Sequence, residues 1–126
     1  MNTKDDILRL EQELKACRKA LVAIGDETRQ HILMTMLEGE CGGNRVIDIT
    51  ERTNLSRPAV SHHMQILKDA GFVKVRKEGT KYYYYLDMDD NEIDKLCMLF
   101  EDIRKILKNV PDRSEKDNWQ EDEKVE

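Results

Sequence analysis

The sequence has few cysteines and no long apolar run, and both absences narrow the class of protein. Its three cysteines are an odd number without a Cys-x-x-Cys pair, so we expect no disulfide framework and a cytoplasmic location. No apolar run approaches the roughly 20 residues that a membrane span needs. Residues 1–6 lack the basic region and the apolar core of a secretory signal, so we expect none.

Sequence motifs of enzymes are missing as well. The chain carries no nucleophile elbow, no phosphate-binding loop and no zincin motif. The adjacent histidines His62 and His63 do not make a metal pair, because neighbouring side chains on a helix point about 100° apart. We therefore expect a protein that is not an enzyme and that has no metal site and no cofactor.

The length of 126 residues predicts one domain. We place the folded domain at residues 1–111 and an acidic, disordered tail at residues 112–126. The net charge of −5 is unevenly distributed, because residues 45–86 carry +4 and the tail alone carries −4. A polyanion feels charges within about a Debye length, ~8–10 Å, so the basic segment can contact nucleic acid although the whole chain is acidic.

The two ends of the domain show apolar residues at the spacing of a helix seam. The first seam contains Ile7, Leu10, Leu14, Cys17, Leu21 and Ile24. The last contains Ile93, Leu96, Phe100, Ile103, Leu107 and Val110. They predict one helix of roughly twenty residues ending at Gly25 and another from about residue 91 to residue 110. One small domain cannot bury both seams, so we predict homodimerisation through these helices; the alternative is that they pack on each other within one subunit.

The segment between them contains a helix-turn-helix pattern. A helix starts near Asp26, with an apolar face of Ile32, Leu33, Met36 and Leu37, and glycines predict a loop at residues 40–44. A short helix at residues 45–53 is followed by a break at residues 54–56. Ser56 caps the next helix, Pro58 lies in its first turn, and Gly71 ends it. Its inward stripe is Val60, Met64 and Leu67.

A β-hairpin follows, because apolar and basic residues alternate up to Lys77 and an aromatic run follows a turn at residues 78–80. The predicted fold is therefore mainly α with a small β-hairpin, a winged helix-turn-helix with N- and C-terminal dimerisation helices. Such a fold lays its second helix in the major groove of DNA, where outward side chains meet base edges. The predicted DNA-binding residues are Ser56, Arg57, Ser61, His62, Gln65 and Lys68 on the helix and Lys74, Arg76, Lys77 and Lys81 on the hairpin.

Three segments resemble the ArsR (arsenical-resistance regulator) family of bacterial repressors. Residues 20–29 (ALVAIGDETR) are similar to its ALADPTR segment, and residues 55–73 (LSRPAVSHHMQILKDAGFV) to its recognition element LSQPTVSHHLKVLREAGLV. Residues 76–86 are similar to its wing. The resemblance implies a homodimer that blocks promoters and leaves DNA when a ligand binds. A two-fold dimer would contact an imperfect inverted repeat of double-stranded DNA, with half-sites ~34 Å apart.

The metal motifs of that family are missing from this sequence. Its Cys-x-Cys pair would fall within residues 43–50, which contain no cysteine, and the last helix has no histidine. We therefore expect a regulator that lacks the best-known metal sites of the family. Two alternatives remain open. Cys17 and Cys97 could meet in a thiol or metalloid sensor, with Cys41 as the thiol most open to oxidation. The winged helix could instead dock onto a protein such as an RNA polymerase subunit.

Overall fold

Six helices and one β-hairpin follow one another in the computed structural model, which describes residues 3–39, 43–87, 92–111 and 114. The elements are α1 Thr3–Ala16, α2 Arg18–Ile24, α3 Glu27–Glu38, α4 Val46–Thr53, α5 Arg57–Asp69, β1 Val73–Glu78, β2 Lys81–Leu86 and α6 Glu92–Asn109. Their order confirms the predicted fold class, a mainly α winged helix-turn-helix with one small hairpin.

The prediction of a single N-terminal helix is wrong, because the helix breaks at Cys17 into α1 and α2. Cys17 has φ −95° and ψ 2°, although its N–H still donates to a carbonyl of α1 at 3.0 Å. Beyond the break, α2 buries its small residues Ala20 and Ala23, whereas Ile7 and Leu14 on α1 are 51% and 40% exposed. The first seam is therefore not one continuous buried stripe.

The core lies between the helices and the first strand of the hairpin. Its largest fully buried side chains are Ile32, Ile49, Val60, Met64, Leu67, Val73 and Leu99. This set contains the whole predicted inward stripe of α5, which is confirmed. On α3, Met36 is buried as predicted, but Leu37 is 64% exposed. Leu37 follows Met36 directly and so points about 100° away from it around the helix.

The wing is the antiparallel hairpin of β1 and β2. Gly79 at its turn has φ 63°, a left-handed conformation that glycine adopts without the steric penalty of a Cβ. Asn44, which the surrounding glycines predict in a loop, exchanges backbone hydrogen bonds of 2.7 and 2.8 Å with Tyr84 of β2. This bridge ties the hairpin to the segment that precedes α4.

Helices α1 and α6 pack on each other within the subunit. Such packing was the alternative to homodimerisation in the sequence analysis. Leu96 and Leu99 of α6 are buried. Both helices nevertheless keep large apolar side chains exposed, namely Ile7, Leu8 and Leu14 on α1 and Ile93, Met98, Phe100 and Leu107 on α6. Packing within one subunit therefore uses only part of the two predicted seams.

Two predictions fall outside the described residues. They concern Cys41 and the tail at residues 112–126, of which only residue 114 is described. Among the described residues, no helix combines the length and the apolar character that crossing a membrane requires.

Candidate nucleic-acid interface

Caps at both ends fix the length of α5. Ser56 precedes the helix in an extended conformation, and its Oγ accepts a hydrogen bond from the N–H of Ala59 at 3.2 Å. Pro58 lies in the first turn, where a missing backbone N–H leaves no bond unmade. At the other end, the N–H groups of Gly71 and Phe72 donate to carbonyls of α5 at 3.0 Å, and Gly71 has φ 89°.

The turn between α4 and α5 depends on Asn54. This residue has φ 58° and ψ 21°, a left-handed conformation in which asparagine is enriched among residues other than glycine. Its N–H donates to the carbonyl of Thr50 at 3.1 Å and so closes the last turn of α4. The chain then reaches the cap at Ser56 within two residues, which confirms the predicted break at residues 54–56.

The outward side of α5 is polar. Its exposed side chains include Arg57, Ser61, His62, Gln65 and Lys68, which are the residues predicted to contact DNA. His63 is half-buried because it faces α3. A helix with such a stripe can present hydrogen-bonding groups to base edges in the major groove.

Gln65 has a partner on its own helix. Its Nε2 donates to Oδ1 of Asp69 at 2.9 Å. The amide can still accept through Oε1, but a bidentate pair with adenine also needs a donor from Nε2. Nε2 carries two hydrogens, so Gln65 can donate one to adenine while the other remains bonded to Asp69.

Two of the four predicted wing cations lie over tyrosine rings on the opposite strand. The guanidinium carbon of Arg76 is 5.3 Å from the centre of the Tyr83 ring, and Nζ of Lys77 is 5.6 Å from that of Tyr82. The strand register explains both contacts, because it pairs Arg76 with Tyr83 and Lys77 with Tyr82. Nε of Arg76 also donates to Glu78 at 2.9 Å. These contacts hold the two charges at defined positions on the wing.

The other two wing cations differ from each other. Nζ of Lys74 forms an ion pair of 3.2 Å with Asp87, whose side chain is only 5% exposed. Lys81 is exposed at the start of β2 and lines a hollow of about 160 Å³ together with Arg57 and Arg45. Arg45 lies in the basic segment 45–86 but is not among the predicted DNA-binding residues. Its position directly before α4, the first helix of the helix-turn-helix, is the signal that could have identified it.

A buried arginine supports α5 from behind. Arg29, only 8% exposed, donates from Nε to the carbonyl of Ala23 at 2.8 Å and from Nη2 to that of Val22 at 3.0 Å. Its Nη1 lies 3.3 Å from Nδ1 of His63. The backbone N–H of Arg29 donates to the carboxylate of Asp26, and this bond holds the pKa of Asp26 below its usual value. Neither periodicity nor spacing pointed to this arginine.

The described residues contain no group of three or more His, Cys, Asp or Glu that could hold a metal ion. Cys17 is buried, and its Sγ donates to the carbonyl of Lys95 at 3.9 Å. Cys97 is exposed, and both thiols are free. One subunit therefore does not join the two cysteines in a disulfide.

Comparison with known proteins identifies a single family. The model of the bacterial regulatory proteins of the arsR family matches residues 26–75. The chain is 45% identical over 75 residues to an uncharacterized HTH-type transcriptional regulator of Methanocaldococcus jannaschii, covering 59% of this chain and 82% of that protein. It is 31% identical over 104 residues to an arsenical resistance operon repressor of Bacillus subtilis, covering 78% of this chain and 89% of the repressor.

A solved structure agrees with the sequence comparisons. Reduced HlyU from Vibrio cholerae superposes with a TM-score of 0.56 at 26% identity, covering 77% of this chain and 95% of HlyU. The helices and wing described above therefore have the same arrangement as in a solved structure that is similar in sequence. On this evidence of sequence and fold, the chain belongs to the ArsR family of bacterial regulatory proteins and is a winged helix-turn-helix transcriptional regulator, not an enzyme.

Proposed function

We propose that the protein is a homodimeric repressor that lays α5 of each subunit into the major groove of duplex DNA. The observation that carries the proposal is the polar and basic outward side of α5, whose Arg57 lines the same hollow as Lys81 of the wing. No ion pair within the described part of the chain engages Arg57, Lys68 or Lys81, so their charges can meet phosphates. The arsenical resistance operon repressor that is 31% identical to this chain supports repression as the outcome of binding.

The side chains on this surface have different roles in the proposal. Arg57 can make a bidentate contact to guanine or to a phosphate, and Gln65 can read adenine with Oε1 and the Nε2 hydrogen that is not bonded to Asp69. Ser61 and His62 donate to bases or phosphates. The remaining predicted residues contact phosphates or the minor groove, namely Ser56, Lys68, Lys74, Arg76, Lys77 and Lys81. Among them Lys74 and Arg76 should contribute less than Lys77 and Lys81, because Lys74 pairs with Asp87 and Arg76 pairs with Glu78.

The apolar surface on the terminal helices supports the dimer. Phe100 and Leu107 on α6 are 53% and 65% exposed, and Ile7 and Leu8 on α1 are each 51% exposed. Side chains of this size are ordinarily buried, and a second copy of the same helices would cover them. A two-fold axis between the copies would present two α5 helices to half-sites ~34 Å apart, which requires an imperfect inverted repeat. The repressor would act without the Cys-x-Cys metal site of the family.

A salt titration of DNA binding tests the proposal. The purified protein is titrated onto a labelled duplex from upstream of its own gene, and binding is followed by fluorescence anisotropy. About six phosphate contacts predict a loss of affinity of order 10³-fold between 50 and 200 mM salt. Gln65→Ala should relax sequence preference by about 1–3 kcal/mol, whereas Lys77→Ala should weaken binding to all sequences alike. Arg57→Ala distinguishes the two contacts open to that residue, because loss of a guanine contact relaxes sequence preference and loss of a phosphate contact weakens all sequences alike.

The matched control is Lys105→Ala, which removes an exposed cation from α6, outside α5 and the wing. Lys105 points away from the helix face of Phe100 and Leu107. Its loss should leave affinity and salt dependence unchanged. A flat salt response together with equal affinity for every duplex would contradict the proposal and favour docking of the winged helix onto a protein partner.

A further inference from the structure

A small hollow lies where α4, α5 and the wing meet. Its volume is about 160 Å³, and its charged lining consists of Arg45 before α4, Arg57 at the start of α5 and Lys81 at the start of β2. The hydroxyl-bearing residues Thr80 and Tyr82 also line it. No acidic residue is among the described residues that line this hollow. Three cations from separate segments therefore share one concave site.

The neighbouring groove shows a different charge pattern. It is lined by Glu38, Asp48 and Glu51 together with Arg45 and Arg52, so charges of both signs are present there. Arg45 borders both sites, but in the described residues its guanidinium forms no ion pair. The carboxylate of Asp48 accepts instead from the backbone N–H of Arg45, at 3.0 Å. The charge of Arg45 is thus not neutralised by the acids closest to it in the chain.

Like charges held together repel one another, and this repulsion is relieved when an anion enters between them. The arginine side chains of the hollow present forked donors that match the oxygens of a phosphate, and lysine adds a point charge. Hydroxyl groups of threonine and tyrosine can donate to the same oxygens. The chemistry of the lining therefore fits a phosphate group.

We propose that this hollow binds a phosphate and that its ligand is a phosphodiester of the operator backbone, which makes Arg45 a further DNA-contacting residue. The inference rests on the proposed function, because Arg57 and Lys81 belong to the same DNA-binding surface. A phosphate held between the helix-turn-helix and the wing would fix the register of both on the duplex without reading sequence. Arg45 thus contributes affinity and orientation, whereas Gln65 contributes specificity.

The test is the salt dependence of operator binding by Arg45→Ala. The proposed dimer carries two copies of Arg45, so Arg45→Ala should remove two phosphate contacts, reduce the slope of log K against log salt by about two and weaken binding about 60-fold near 0.1 M salt. The loss should be equal for all duplex sequences. Arg45→Lys keeps the charge and should retain most of the slope. Arg52→Ala is the matched control, because it removes the same charge from the other end of α4 and does not line the hollow.

The outcomes separate this inference from the proposed function. If Arg57→Ala weakens operator binding while Arg45→Ala leaves slope and affinity unchanged, the hollow does not bind backbone phosphate but the proposed function stands. If the parent protein binds no duplex, the proposed function is wrong, and the inference that rests on it falls with it. An equal loss of operator affinity in Arg52→Ala and Arg45→Ala would also overturn the inference, because the effect would then come from the lower net charge of the protein and not from the hollow.

A second arm distinguishes DNA from a free anion as the source of the phosphate. Inorganic phosphate is titrated into the DNA-free protein while NMR follows the amide signals of Thr80 and Tyr82. Shifts that rise without saturation and vanish in Arg45→Ala agree with a weak phosphate site completed by DNA. Saturable binding of free phosphate that leaves operator affinity unchanged would overturn the assignment to the DNA backbone.

Discussion

The guanidinium of Arg29 lies 3.3 Å from Nδ1 of His63, so a buried side chain of α3 contacts the recognition helix α5 directly. Arginine has no acceptor, and Nδ1 must therefore accept this bond while the ring proton resides on Nε2. The same guanidinium donates to the carbonyls of Val22 and Ala23 at the end of α2. One side chain thus ties α2, α3 and α5 together behind the proposed DNA-binding surface.

Replacing this arginine should destabilise the fold. Arg29→Ala would leave two carbonyls and the His63 nitrogen without their donor, and we expect a loss of about 2–3 kcal/mol in the free energy of unfolding. Arg29→Lys keeps the charge but cannot fork to several acceptors, so it should recover only part of the loss. Urea unfolding at fixed protein concentration measures both.

The contact with His63 is tested separately by His63→Phe, which keeps a ring but removes the acceptor. We expect a smaller loss of stability than in Arg29→Ala, because the two bonds from Arg29 to α2 remain. The affinity for DNA should fall in His63→Phe although His63 does not face the groove. Unchanged stability in Arg29→Ala would contradict the role given to the buried guanidinium.

A pair of carboxyl groups joins α1 to α6 and makes stability depend on pH. Burial raises the pKa of Glu13 above its ordinary value of 4.5, and a hydrogen bond with Asp102 and the negative charge of that neighbour raise it further. Arg9, at 3.8 Å from Glu13, opposes the shift. The folded protein therefore binds the proton of Glu13 more tightly than the unfolded chain does.

The sign of the pH effect follows from that raised pKa. The stabilising contribution of protonated Glu13 is complete below about pH 4.5 and is lost as the pH rises through the folded-state pKa above it. Glu13→Gln should remove this pH dependence and raise stability at neutral pH, because an amide can donate to Asp102 without carrying charge. Unfolding by urea at several pH values above 4.5 measures the effect.

The control is Glu11→Gln, an exposed glutamate of the same helix that pairs with Lys15. It should leave the slope of stability against pH unchanged. Asp26 does not confuse the measurement, because its pKa is lowered and its contribution is lost only on acidification through values below 3.8. A parent protein whose stability is flat above pH 4.5 would refute the proton-binding role of Glu13.

The sequence predicted α5 correctly because all the information for that helix is local. Val60, Met64 and Leu67 recur at helical spacing, and Ser56 and Gly71 cap the two ends. The predicted DNA-contacting residues on α5 therefore followed from its period alone. The helical period does not indicate which of these residues would contact a base. The hydrogen bond between Gln65 and Asp69 is likewise visible only in the structure.

The features that the sequence did not predict depend on contacts between distant segments, about which the spacing of apolar residues gives no information. A spacing of three and four residues places Ile7, Leu14 and Cys17 on one helix face, but it carries no information on what covers that face. The break at Cys17 has no glycine or proline to announce it. Likewise the contact of Arg29 with His63 joins residues 34 positions apart, and the ion pair of Lys74 depends on where the chain leaves β2.

The exposed apolar side of α6 predicts a defined effect on assembly. Leu107→Glu should weaken the proposed homodimer, because burying a leucine contributes about 1.5–3 kcal/mol and a two-fold dimer loses it twice. The dissociation constant should therefore rise about 100-fold or more. Analytical ultracentrifugation over a dilution series measures this change, with Lys105→Glu as a control on an exposed charged position of the same helix.

Unfolding of the Leu107→Glu subunit should remain cooperative, because Leu107 is 65% exposed in the single subunit. Operator binding should weaken and lose its preference for an inverted repeat over a single half-site. A parent protein that is monomeric at micromolar concentration, with Leu107→Glu identical to it, would exclude this face as the dimer interface.

Ser56 combines a structural and a proposed DNA-binding role, and two substitutions separate them. Ser56→Ala removes the Oγ that accepts from Ala59 and should cost about 1 kcal/mol in the free energy of unfolding. Ser56→Asp retains an N-cap acceptor and should keep the parent stability. Its carboxylate would nevertheless repel the phosphates that Ser56 is proposed to face, so Ser56→Asp should bind the operator more weakly than Ser56→Ala does. Urea unfolding and anisotropy titrations on the same preparations measure the two effects, and parent-like DNA affinity in Ser56→Asp would show that this end of α5 lies away from the DNA backbone.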